Sequence, residues 1–185
     1  MGSSGNPVIQ GNLDVISQCR QFLRQLDDDQ YRYAQPPLVA SSVGGHVRHV
    51  VDIYRAVACV EIGDGSAAAC IDYDVRRRGC ACETSRATAE EELAAILGWL
   101  KSLDEDALEH IVAVKTEVAL AAVETATVPS TLARELVFAS SHAVHHLAIM
   151  SMIGRIQGVD VPTSVGVAPA TASFLRQQES DVYCI

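Results

Sequence analysis

"SSHAVHHLAIM", residues 140–150, holds three of the chain's six histidines inside a long apolar run, and its reading decides the fold. At ~100° per helical residue, His142 and His146 lie about 40° apart, one turn from each other on one face. Glu135, Phe138, Ile149 and Ile153 share that face. Beside it runs a stripe of Leu132, Leu136, Ala139, Ala143, Leu147, Met150 and Gly154, which is what a helix buries. His142 and His146 therefore face inward, with His145 at the edge of the arc and Ser141 outside it. Pro129-Ser130-Thr131 launches the helix with Ser130 as the expected cap, and it runs to about Gln157, before Gly158.

A hundred residues earlier, "GGHVRHVVDIY" (44–54) holds two more histidines on a second helix, opened by Ser41-Ser42 and running to about Ile62. His46 lies within its buried arc of Val43, Val47, Val50, Ile53, Tyr54 and Val57, and points into packing. His49 stands about 60° away and looks along a groove between helices. Asp52 is expected on the outer side, paired with Arg48 or Arg55. His110 stands alone and is read as structural.

The remaining elements follow the same logic. Apolar residues from Ile9 to Leu26 repeat at three- and four-residue spacing until "DDDQYRYAQPP" (27–37) breaks the pattern. A further helix is opened by Thr88, with Glu91 at capping-box spacing, and ends near Lys101. Residues 63–86 form a connection long enough to cover something. In "HIVAVKTEVAL" (110–120) and "VETATVP" (123–129) the pattern turns β-branched and predicts two short strands, with an alanine-rich helix as the alternative. The tail at 165–178 reads as a loop with a helical turn or two. Residues 1–8 read as a frayed end or cloning remnant, and 9–185 as one domain. The fold class is all-α: a four-helix bundle with one long crossover connection and a short strand pair.

Composition narrows the function. A net charge of −9 opposes phosphate backbones, so no nucleic-acid partner is expected, and Arg76-Arg77-Arg78 reads as a solvated loop. The six cysteines form no CxxC pair, which speaks for free thiols and a cytoplasmic location. No segment is expected to reach the ~18 apolar residues that span a bilayer, so no membrane partner is expected. The outer face of the last long helix (Val137, Ser140, Ser141, Val144, Ala148, Ser151) is small and mildly polar. It suits packing by another helix or by a second subunit.

Buried histidines must satisfy two ring nitrogens each. A divalent ion solves this by taking one lone pair while the other nitrogen donates elsewhere. An i, i+4 pair with one histidine from a facing helix supplies three nitrogens and leaves open positions, the arrangement of catalytic zinc. The plain alternative is a hydrogen-bonded histidine network with no ion. Glu135, about two turns before His142, is either a general base or a first-turn acid favoured by the helix dipole.

"SSVGGHVRHVVDIY" (41–54) and "RELVFASSHAVHHLAIMSMIG" (134–154) together resemble the DinB-like superfamily of four-helix bundles, across essentially the whole chain. The resemblance implies a divalent metal (zinc or nickel first, iron or manganese as alternatives) held by His49, His142 and His146. His46 is then an outer partner or the true ligand in place of His49, and His145 an entrance or hydrogen-bonding group. It further implies an enzyme acting on a small molecule, as a hydrolase or as a transferase using a low-molecular-weight thiol, and a homodimer. A non-catalytic metal-binding or sensor bundle is the alternative.

Overall fold

The structure is a computed structural model that describes residues 5–60 and 69–182. Four long helices make the frame: α1 (Pro7–Leu23), α3 (Val43–Ala58), α4 (Arg86–Ser102) and α6 (Leu132–Ile156). Both α1 and α3 pack against both α4 and α6, so the four enclose one core. Short helices α2 (Asp28–Arg32) and α5 (Glu105–Leu108) lie in the connections, and α7 (Pro169–Val182) ends the described chain. Leu23, Leu93, Leu136, Leu147 and Met150 are fully enclosed.

Each long helix starts where a side chain takes over an orphan N–H. Asn6 accepts from Val8 N at 2.9 Å with Pro7 as the first helical residue, so α1 begins two residues before the expected Ile9. Residues 1–4 of the expected frayed end lie outside the described residues, as do Ile62, Gly63 and Cys184. Ser42 caps α3, accepting from Gly45 N. Two expected caps are displaced, one by three residues and one by a single residue. Ser85 rather than Thr88 opens α4, accepting from Thr88 N at 3.2 Å. Thr131 rather than Ser130 opens α6, because Ser130 turns its hydroxyl to Glu135 instead. Gly158, at φ +79°, ends α6 in a conformation that suits glycine.

The fold is mostly helical but not all-α. The expected strand pair is present as β2 (Ile111–Glu117) and β3 (Thr125–Thr131), antiparallel, with Val114 opposite Val128. A third strand, β1 (Ala69–Asp72), comes from the long connection and pairs in parallel with β2, Ile71 beside Val114. Ile71, Val112 and Val114 are buried, so the small sheet closes one side of the core. Because β3 runs straight into α6, the sheet fixes the start of the helix that carries three histidines.

Three local expectations need correction. The "DDDQYR" stretch forms α2, because Asp27 and Gln30 complete a capping box there. The tail forms a 14-residue helix rather than a turn or two. Before it, Gly166 passes so close to α6 that a Cβ would lie 2.5 Å from Ala148 N, so the chain's own tail covers part of the outer face. By length and composition α6 is able to cross a bilayer, which the sequence reading did not expect. Its stripe nevertheless packs against α1 and α3.

Asp52 is buried and not on the outside. It accepts from Arg48 at 2.8 Å and from Arg77 at 2.7 Å, while Arg55 pairs with Glu92. Arg77 also reaches Glu92 at 2.9 Å, tying the long connection to both α3 and α4. Arg48 further pairs with Glu83. So Arg77 is clamped rather than free, while Arg76 and Arg78 on either side of it are exposed, as expected of a solvated loop. The clamp sets Arg76 over α3.

Candidate metal centre

Three imidazoles converge from two helices. His49 Nε2 lies 2.9 Å from His142 Nε2, which lies 2.9 Å from His146 Nε2. One ligand atom from each of the three falls within 4.8 Å of the others. Nitrogens about 2.0–2.1 Å from one ion stand roughly 3.0–3.4 Å apart, so little movement is needed to seat one. The i, i+4 pair rides on α6 and His49 on α3, as the helical arithmetic requires.

The hydrogen-bond chemistry of the cluster supports an ion. A neutral ring has one N–H and one in-plane lone pair. His142 Nε2 faces two other Nε2 atoms and cannot serve both well with a single lone pair. Three lone pairs meeting one cation remove that conflict. His46 is not in the convergence: its Nδ1 meets His146 Nδ1 at 3.0 Å, behind the ring. With His146 Nε2 turned to an ion, its Nδ1–H donates to His46, the contact expected of an outer partner. His46 Nε2 is buried and has no partner.

His145 points elsewhere. It lines a cleft of about 480 Å³ between α1, α6 and the Gly166–Pro169 loop, with Ser140, Ser141 and Val144 of the small outer face. His110 is local, its Nδ1 2.9 Å from Ala107 O. Glu135 is fully buried and its oxygens are occupied: Tyr73 donates to one at 2.7 Å, Ser130 and Arg134 to the other at 2.6 and 2.8 Å.

On the His49–His142 side lies a cavity of about 340 Å³. Ile53, Tyr73, Val114, Val128 and Phe138 give it apolar walls, and Arg76 and Arg134 reach it. Arg134 already holds Glu135 and lies 5.5 Å over the Phe138 ring. Arg76 donates to His49 Nδ1 at 2.7 Å. Sequence reasoning missed Tyr73 and Arg76. The signal for both was the connection at 63–86, whose length announced a cover without saying which residues face in.

The rings are held neutral. Burial lowers His49 to about 4, with Arg76, His142 and Arg48 adding to it. Burial lowers His146 to about 3, helped by the neighbouring imidazoles. His46 and His142 are lowered for the same first reason. Lone pairs are therefore available well below pH 7. In the unfolded chain these rings titrate near ~6.5, so it takes up protons first as pH falls. Their contribution to stability is present above about pH 6.5 and is lost as pH falls towards the folded values. Metal-free protein is expected to lose melting temperature between about pH 7 and pH 4, and His146→Gln to lose less. Equal losses in the two proteins, measured by calorimetry, would contradict this.

Comparison with known proteins gives two findings. Residues 14–150 match the family described as the DinB superfamily. A curated relative, "FK506-binding protein 5" of Rhizopus delemar, is 27% identical over 108 residues, or 58% of this chain. The match spans 28% of that relative's length.

Proposed function

The chain belongs to the DinB superfamily, and from that premise we propose that it is a metal-dependent enzyme whose ion is held by His49, His142 and His146. The observation that carries this is the convergence of three Nε2 atoms, two of whose rings, His49 and His142, line a cavity with apolar walls. When bound, a divalent ion (zinc or nickel first) supplies Lewis acidity, which lowers the pKa of a coordinated water or thiol towards neutrality. The reaction class is hydrolysis or transfer of a low-molecular-weight thiol to a small electrophile.

The protein's own residues supply placement. Ile53, Val114 and Phe138 give the reacting group an apolar side to lie against. Glu135, with all its acceptors engaged, acts as a positioning residue: it fixes the Tyr73 hydroxyl and ties β3 to α6. His46 orients the His146 ring through the Nδ1 contact. A cavity of about 340 Å³ suits a small molecule and not a nucleic-acid strand.

The test is turnover on ester, amide and epoxide panels, with and without a small thiol. Activity is expected with metal-loaded protein, lost on chelation and restored by the ion. If no panel turns over while chelation lowers the melting temperature, the bundle binds metal without catalysis.

A further inference from the structure

We propose that Arg76 is an anion-binding group of the cavity and that the site takes a substrate with a carboxylate on a small apolar body. The inference rests on the three-histidine ion site and adds the substrate class. It begins with the two nitrogens of His49. Nε2 faces the other imidazoles, and Nδ1 accepts from Arg76 Nη1 at 2.7 Å. A ring that accepts at Nδ1 carries its proton on Nε2. Offering the Nε2 lone pair to an ion moves that proton to Nδ1, where it meets a guanidinium that only donates. The Arg76–His49 bond and an ion on His49 thus exclude each other.

Once displaced, Arg76 is a solvent-exposed guanidinium at the rim of the cavity. Among the described residues no carboxylate lies within ion-pair distance of it, whereas Arg77 holds Asp52 and Glu92 and Arg134 holds Glu135. The Arg77 clamp keeps the backbone of the neighbouring residue in place, so Arg76 stays within reach of the cavity while its guanidinium is exposed. Glu135 offsets Arg134, leaving one guanidinium charge beside the ion. A guanidinium fork matches a carboxylate through two parallel N–H donors. A phosphate dianion would leave excess charge between Ile53, Val114, Val128 and Phe138, which an apolar wall penalises. The monoanion fits better.

The test uses full-length protein loaded with cobalt(II), with metal stoichiometry measured first. Phenylacetate and its neutral analogue phenylacetamide are titrated by calorimetry and by the visible cobalt absorption. Phenylacetate is expected to bind about 10-fold or more tighter than the amide. Arg76→Gln should remove that advantage without changing amide binding, and Arg76→Lys should restore part of it. Arg76→Gln should also bind cobalt at least as tightly as wild type, since a glutamine oxygen, unlike a guanidinium, can accept from His49 Nδ1–H. Cobalt uptake with equal phenylacetate affinity in wild type and Arg76→Gln overturns the inference alone, as does an amide that binds as tightly as the acid. A wild-type protein that takes up no cobalt overturns the ion site, and the inference with it.

Discussion

Replacing His49, His142 or His146 with alanine is expected to abolish tight binding of a divalent ion, each loss exceeding the ~10–100-fold that an outer partner costs. His46→Ala should fall within that range, because its ring touches only the back of His146. His145→Ala should bind the ion like wild type, since the ring lines the cleft on the α1 side. Competition against a chromophoric chelator measures all five. The variants should keep their helical circular dichroism, because the Leu132, Leu136, Ala139, Leu147 and Met150 stripe is untouched. An ion lost in His46→Ala and kept in His49→Ala would exchange the two assignments. Loss in His145→Ala would place the site on the wrong side of α6.

The site was legible where it depends on helical periodicity. His142 and His146 are fixed by a four-residue step on one helix, and a long apolar stripe shows which way that face points. His46 and His49 were harder, since both lie near the buried arc of α3 and differ by one turn. Angular reading placed His46 deeper, and it does sit behind His146. Depth in the packing is not the same as reach towards a shared point, and His49 at the margin meets His142 across the groove. A helix wheel describes one helix, and convergence belongs to two.

The long connection was read least well. Its alternation is too short for a strand pattern, and Ile71 becomes part of β1 only because Val114 of β2 lies beside it. Asp52 looked like a surface acid for a related reason. Its pairing with Arg48 one turn back is what a surface position would show, and the second arginine that holds it, Arg77, lies 25 residues on. Likewise Ser130 is a good cap in isolation, but burying Glu135 demands donors and draws the hydroxyl away. For Ile71 and Asp52 a partner distant in sequence overrides the local preference, and for Ser130 a buried acid five residues on does so. Arg76 is the functional consequence, because it reaches His49 from a loop whose path is set by Arg77.

Gly44 and Gly45 are expected to respond to alanine in opposite directions, although they are adjacent on the helix that carries His46 and His49. A Cβ on Gly44 would meet the Glu83 carbonyl oxygen far inside van der Waals contact, with the Glu83 carbonyl carbon and Tyr31 Cε1 each at 2.8 Å. The obstacle is mostly backbone and cannot rotate away. Tyr31 is itself pinned there, fully buried and donating to Cys82 O. Overpacking costs about 1–3 kcal/mol, and a backbone collision belongs at or above the upper end. At roughly 2–4 °C per kcal/mol for a chain of this size, Gly44→Ala should lower the melting temperature by about 6–12 °C or more. Gly45 meets nothing closer than Ser41 Cβ at 3.5 Å, an ordinary contact. There alanine reduces the freedom of the unfolded chain without strain and should stabilise by about 0.4–1 kcal/mol, or roughly 1–4 °C. Thermal melts of the two variants beside wild type decide the matter. If Gly44→Ala melts with wild type, the turn at Cys82–Glu83 does not press on the start of α3.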